Sequence, residues 1–474
     1  MSGVVDRDRL DPRTRRLLEA PIVPTLLRLG APNVLIMLAQ AAVGLIETFF
    51  VGKLGTDALA GMALVFPAVM LMQTISAGAF GGAIASVIAR ALGGGRRAEA
   101  DVLVLHALAI ALALGLLFMV AALGGGRWLY TRMGGTHGAL AAALTYSNLV
   151  FAGAVLVWIF NALSAVIRGT GNMTVPAVVS CTGSVVLIPL SPLLIFGWGP
   201  VPALGIAGGA VALLAYYLLG SVAMAAYLWS PRSLLRPAFS HLRFRWAQFQ
   251  EMLRLGAVGA ISAAATNATI AIATAQVGTF GTAAIAGYGT AARLEYLLIP
   301  LVFGLGSPLL AIVGTCIGAG LRERAMAATW IGVAIAFSMT EVIGLAAALW
   351  PNAWLSLFAS DHAMREAGAQ YLHAVGPLYG FFGVGLVLFF ASQGAGRVKW
   401  PVIGNLARLT VAALGGALAL RWGHGLIPIF IAQGVALVIY ALINVAAVAG
   451  GAWFGPIGWP RSVTLGRPAE NCCG

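Results

Sequence analysis

Three acids interrupt the long apolar runs of this sequence: Glu47, Glu295 and Glu341. An ionisable residue inside hydrocarbon is costly, and it marks an ion or substrate path or pairs with another group. Asn33, Gln40 and Glu47 are spaced by seven residues, which places them on one face of a helix. An otherwise apolar helix should turn such a stripe toward a cavity. There a carboxyl can exchange a proton or lend oxygen ligands to Na⁺, as other hard cations prefer. Glu47, supported by Gln40 and Asn33, is the candidate ion-coupling group. The alternative is that Glu47 lies at the outer interface and is merely solvated.

Arg293 and Glu295 are two residues apart, so on a helix they do not face each other. Each should meet another helix or line a cavity, and with Asn267 they are the candidate substrate-cavity residues. Thr274 and Gln276 extend the polarity around Asn267, either as cavity lining or as glue between helices. Glu341 has no motif behind it and should face a groove or pair with a loop arginine. His106 reads as a packing residue. Phe66, Met70, Met72, Tyr288, Tyr296, Tyr379 and Phe382 suit a soft aromatic wall, or lipid and core contacts. No Cys or His spacing suggests a metal site, and no nucleophile–base pair appears, so neither a metal nor a catalytic residue is expected.

These side chains must be held by membrane helices. The chain has 474 residues, 60% hydrophobic and only 9% charged, against about 25% charged for soluble proteins. Its apolar runs are long enough to cross a ~30 Å hydrocarbon core as helices. They do not alternate as barrel strands would. The formal charge of +13 therefore reads as topological, holding loops on the cytoplasmic side rather than binding nucleic acid. No cleavable signal peptide is expected, because the N-terminus is charged and the first apolar run lacks a small-residue cleavage site. Cys181 and Cys316 read as packing residues. Cys472 and Cys473 lie in a polar tail with no prenylation signal.

Twelve helices are expected, near 30–51, 59–90, 101–123, 140–167, 174–197, 205–229, 252–278, 284–316, 326–350, 369–393, 401–420 and 427–450. The second, fourth and eighth are too long for a straight perpendicular span and should tilt or extend beyond the membrane. Lys and Arg are about fourfold more numerous in the loops on the N-terminal side, so both termini should be cytoplasmic. The domains read as a cytoplasmic segment 1–25, a six-helix bundle 26–230, a cytoplasmic linker 231–251, a second six-helix bundle 252–450 and a cytoplasmic tail 451–474.

The bundles are copies at an offset of about 225 residues. Leu27-Arg28-Leu29-Gly30-Ala31 recurs as Leu253-Arg254-Leu255-Gly256-Ala257. Gly52 and Gly55 recur as Gly278 and Gly281, and Gly93-Gly94-Gly95 as Gly318-Ala319-Gly320. Gly169-Thr170-Gly171 recurs as Gly394-Ala395-Gly396, and Tyr146 as Tyr371. Six helices per copy make the repeat parallel, with its axis along the membrane normal, an arrangement suited to alternating access between halves. The glycine loops are not phosphate cradles, since no strand precedes them and no Walker-type lysine follows.

Several blocks resemble the multidrug and toxic compound extrusion (MATE) family, nearest its DinF-like members. They are Glu47-Thr48-Phe49-Phe50-Val51-Gly52-Lys53-Leu54-Gly55, Arg168-Gly169-Thr170-Gly171-Asn172, Pro192-Leu193-Leu194-Ile195-Phe196-Gly197, Arg293-Leu294-Glu295 and Gln393-Gly394-Ala395-Gly396-Arg397. The likeness runs from about Leu26 to Asn444. It implies an all-α membrane protein that exports amphipathic, often cationic, compounds in exchange for H⁺ or Na⁺, with Glu47 where the family usually has an acid. Ser191 and Leu187 stand where the archaeal-type pattern has Asp and Asn, and Thr266 and Asn267 where other members have a seventh-helix Glu. A multi-ligand Na⁺ site is harder to build from what remains, which favours the proton. No cofactor beyond the ion gradient is expected. The expected partners are a small-molecule substrate, H⁺ or Na⁺ and membrane lipid, with a monomer in the cell inner membrane. A flippase for a lipid-linked precursor is the alternative, but it would want a more cationic interior than Arg293 and Arg408 supply. Glu47 corresponds to Ala273 in the second copy, so the ion switch should lie in the first.

Overall fold

The computed structural model describes residues 11–198, 202–238, 245–358, 361–423 and 425–454, the side chains at 40–42 and 296 excepted. A short helix α1 (Pro12–Glu19) precedes the first bundle. That bundle holds α2 (Ile22–Gly52), α3 (Thr56–Gln73), α4 (Gly81–Gly93), α5 (Arg97–Arg132), α6 (His137–Ala152), α7 (Ala154–Gly169), α8 (Thr174–Phe196) and α9 (Ile206–Leu228). The second holds α10 (Trp246–Gly278), α11 (Thr282–Gly318), α12 (Arg322–Leu349), α13 (Pro351–Leu355), α14 (His362–Val375), α15 (Tyr379–Gly394), α16 (Lys399–Trp422) and α17 (Ile427–Ala449). Among the described residues, eleven helical segments are long and apolar enough to cross a membrane, and the bent pair α6–α7, taken as one span, makes a twelfth.

The helices outrun the apolar stretches that announce them, because a helix continues wherever its backbone is bonded. The first begins at Ile22 rather than near residue 30, and the third covers Arg97–Arg132 rather than 101–123. Helix α10 takes up residues 246–251, the end of the expected linker. Its polar first turns are fixed by tertiary contacts: Gln248 donates to Glu99 at 3.2 Å, and Arg90 meets Glu251 at 2.7 Å. The long spans do not all remain straight. The second passes through a π-helical segment at Thr74–Phe80, and the fourth bends by 48° at Gly153. The tenth is interrupted by a 3₁₀ turn at Gly376–Leu378, where Pro377 lacks an N–H. The eighth, with 37 residues, extends, its length being roughly 55 Å.

The duplication reappears in backbone geometry. Gly55 and Gly281 have φ of 113° and 101°, Gly95 and Gly320 have 70° and 75°, and Gly171 and Gly396 have 78° and 72°. Each pair ends or starts equivalent helices in a conformation that a Cβ disfavours.

The two lobes meet toward the end of the molecule where their first spans begin. There α2 packs on α11, α4 on α11 and α15, and the π segment on α10. Asn33 donates to the Phe303 carbonyl at 3.0 Å, Ser86 to the Gln393 carbonyl at 2.6 Å and Gln393 to the Ala79 carbonyl at 3.0 Å. The opposite halves of the interrupted spans, α3, α6 and α14, pack chiefly within their own lobes. The lobes are thus sealed at one end and parted at the other.

Candidate functional site

In the N-lobe, α2 ends at Gly52 and carries Glu47 five residues earlier, only 4% exposed. The carboxyl is not solvated at an interface. It is turned into the lobe, where the Tyr146 phenol from α6 hydrogen-bonds to it and Tyr217 from α9 lies within electrostatic reach. Its Oε1 has no hydrogen-bond partner among the described residues. Next to this acid a second polar group runs between helices. Gln73 donates to the Tyr217 hydroxyl, and Asn161 of α7 donates to Gln73 Oε1 at 3.1 Å and to Ser76 Oγ at 2.8 Å.

Small residues bring these elements together. A Cβ on Gly61 of α3 would lie 2.7 Å from the Ala143 nitrogen of α6, so α3 and α6 approach at backbone distance. A Cβ on Gly220 of α9 would meet the Phe160 ring at 2.5 Å. That ring packs edge-on to Tyr217 at 5.3 Å, fixing the phenol that accepts from Gln73. The π segment admits an extra residue into one turn. It begins immediately after Gln73 and turns Ser76 toward Asn161.

The other predicted residues are dispersed. Asn33 is fully buried, but it faces α11 of the opposite lobe. At ~1.5 Å per residue it is roughly 20 Å along the helix from Glu47, so the two do not form one site. The Gln40 side chain lies outside the described residues. Asn267 is exposed and, among the described residues, bonds only its own helix, at the Ala263 carbonyl, 2.9 Å away. The interhelical polar contacts of α10 come from its neighbours instead. Asn405 of α16 donates to Ser262 Oγ at 2.9 Å and Thr266 Oγ1 at 2.8 Å, and Gln276 donates to the Ala413 carbonyl at 3.0 Å. Arg293 is exposed on α11 and makes no ion pair among the described residues.

Glu295 points into the C-lobe, not toward Arg293. It receives the Arg408 guanidinium at 3.1 Å and the Tyr371 hydroxyl at 3.1 Å. Tyr288, Tyr379 and Phe382 are buried beside it, while Phe66 and Met70 of the N-lobe are exposed. His106 packs on Phe249 and receives the Arg245 backbone N–H at 3.1 Å, at the start of α10.

Glu341 makes no ion pair among the described residues and is held instead by a backbone donor. Its Oε2 accepts the Gly380 backbone N–H at 2.7 Å. Gly380 lies in the first turn of α15, just after the 3₁₀ break, where helical donors lack partners. Glu341→Ala should therefore cost about 1–2 kcal/mol of stability by stranding that donor. Glu341→Gln, which still accepts the bond, should unfold within about 2 °C of the native chain. Thermal unfolding in detergent checks both.

Gln73, Asn161 and Tyr217 were invisible to an argument from charge and motif, and Arg408 entered it only as an interior cation. Tyr146 had one signal: with Tyr371 it is among the repeat-related pairs, and each of the two meets an acid.

Known proteins share this architecture. The profile of the MatE family matches the chain in two stretches, residues 32–193 and 260–418, one in each lobe. An FAD transporter of Shewanella oneidensis is 28% identical over 409 residues, 84% of this chain and 88% of that protein. A probable multidrug resistance protein NorM of Deinococcus radiodurans is 29% identical over 371 residues, 74% of this chain and 78% of its own length. A crystal structure of a MATE protein in a bent conformation superposes with a TM-score of 0.87 at 21% identity, over 94% of this chain and 99% of that one. Those coordinates show the shared fold. With both lobes matched by one family profile and twelve helices arranged as in its solved members, this chain belongs to the MATE family of membrane transporters.

Proposed function

We propose that the protein is an ion-coupled exporter that exchanges H⁺, or alternatively Na⁺, for an amphipathic small molecule by alternating access. The observation that carries this reading is Glu47, a carboxyl buried within a membrane helix with one oxygen unpartnered among the described residues. A buried charge without a counter-charge is unstable, so the group has reason to take up and release an ion as its lobe changes shape. A single leading acid among phenols and amides favours the proton over Na⁺, which would want several oxygen ligands. The proposed orientation is that of an inner-membrane monomer with both termini cytoplasmic. The described state is then closed to the cytoplasm and open outward. No cofactor takes part, and no enzymatic step is needed, because the gradient supplies the work.

The cargo has two readings. The family resemblance favours amphipathic, cationic, drug-like compounds, as does the similarity to a multidrug resistance protein. The similarity to an FAD transporter over 84% of the chain favours a flavin dinucleotide, a flat and anionic molecule. Exposed Arg293 on α11 would suit the anion.

Inside-out membrane vesicles with an acidic lumen should accumulate ethidium, and a Na⁺ gradient imposed alone should drive no uptake. Uptake driven by Na⁺ alone would overturn the proton reading, and uptake driven by neither gradient would overturn coupled export. Radiolabelled FAD taken up under the same ΔpH, with ethidium excluded, would establish the dinucleotide reading.

A further inference from the structure

The repeat places Tyr146 and Tyr371 at equivalent positions, and each lies against a buried or half-buried acid. The acids are not equivalent. Glu47 comes from the first span of its half and Glu295 from the second. The lobes have therefore built the same acid–phenol pair from different helices, and the remaining difference is a cation. Glu47 has none among the described residues, and its Oε1 lacks a hydrogen-bond partner among them. Glu295 has Arg408, whose side chain is 7% exposed.

The C-lobe surroundings are those of a cation site rather than of an optimised ion pair. Arg408 reaches Glu295 through one nitrogen, at 3.1 Å, and not through the two-pronged geometry that makes arginine–carboxylate pairs strong. Its guanidinium lies 5.9 Å from the centre of the Phe382 ring, an arrangement that attracts any cation. The Tyr379 hydroxyl is fully buried beside that of Tyr371, within electrostatic reach of Glu295. Tyr288 packs edge-on to Tyr371 at 5.2 Å, and Phe430 does the same at 5.2 Å, closing the wall. One carboxylate, phenol oxygens and ring faces together form a receptor for a small organic cation.

We propose that Arg408 is a tethered cation that permanently fills a cation site formed by Glu295, Tyr371, Tyr379 and Phe382 in the C-lobe. The site itself follows from this geometry alone. Its consequence, that only the N-lobe exchanges an ion, rests on the coupled-export reading above. No other Lys or Arg reaches Glu295 among the described residues. Removing the tether should leave a hole shaped for free guanidinium.

Full-length Arg408→Ala, purified in detergent, should melt below the native protein. Guanidinium chloride at about 10 mM should raise its melting point by about 2 °C or more through binding to the folded state. Tetramethylammonium chloride at the same concentration should not, being too large and without N–H donors. Native protein, already filled, should not respond, and neither should Arg408→Ala combined with Glu295→Gln. An equal response in that double variant, or none in a folded Arg408→Ala, would overturn the proposal. Should Arg408→Ala not fold, Arg408→Lys and Arg408→Gln decide. The lysine variant should recover most of the melting temperature that the glutamine variant loses, and equal losses would show that the cation is not what the site holds. None of these readings involves transport, so they stand or fall separately from the assignment of Glu47.

Discussion

Glu47→Gln should reduce ion-driven export by about 100-fold or more while the protein still reaches the membrane in normal amount. Glutamine has nearly the same volume and can still bond the Tyr146 phenol, so packing of α2 against α6 and α9 is retained. It cannot gain or lose a proton, nor offer a full charge to Na⁺. The loss should therefore fall on coupling, not on cargo binding: equilibrium affinity measured on the purified variant should remain within about 3-fold of native. Cargo exchange down its own gradient, with no ion gradient imposed, should persist. Normal gradient-driven export in this variant would remove Glu47 from the mechanism. Equal loss of driven export and passive exchange would make it a structural residue. Tyr146→Phe should show a smaller defect, because the carboxyl remains but loses a donor.

How far the sequence reveals such a site depends on which interactions are local. Glu47 is legible because a lone acid in an apolar helix has few bland explanations. The polar relay beside it is not, because it depends on the π segment at Thr74–Phe80. An extra residue in a turn shifts the phase of everything after it, and regular periodicity cannot then say that Ser76 meets Asn161. The link from Glu295 to Arg408 spans 113 residues and is decided by how α11 and α16 dock. Composition shows two charges but not their partnership. Asn267 fails for a simpler reason. It is polar and lies in the right span, but Ser262 and Thr266 occupy the face that meets α16. The repeat, in contrast, was fully legible, because duplicated glycines keep their positive φ in both copies. What their sequence positions did not disclose is that some of them also set the distance between helices. Gly169, in the motif before the fifth span, has its added Cβ position 2.8 Å from the Ala85 carbonyl oxygen, so it serves packing as much as a turn.

That second role yields the other large effect, at Gly93. It is the last residue of α4, and a Cβ there would lie 2.0 Å from the Thr315 carbonyl oxygen of α11 and 2.7 Å from its carbon. Its repeat mate Gly318 is placed reciprocally, with a Cβ 2.1 Å from the Arg90 carbonyl oxygen. Each lobe thus seats a glycine against the backbone of the other, and no rotamer change can relieve a clash with main-chain atoms. Within its own helix, valine at 93 adopts ordinary α geometry at a small propensity cost, so the N-lobe should fold. The overlap exists only when the lobes are sealed. Overpacking costs of about 3 kcal/mol or more would shift the equilibrium toward the unsealed state by roughly 100-fold. Gly93→Val should consequently export at a few percent of the native rate, about 100-fold down at most. Spin labels at Ala98 and Glu323, both exposed beside the seam, should show a longer separation dominating in the variant and a shorter one in the native protein. Gly124→Val is the control, since a Cβ there meets nothing within 4 Å, and it should export within about 2-fold of native. If Gly93→Val exports normally with the native label distance, backbone contact at the seam is not what closes this end of the transporter. If both variants fail alike, the defect belongs to glycine loss in membrane helices generally, and the seam has no special claim.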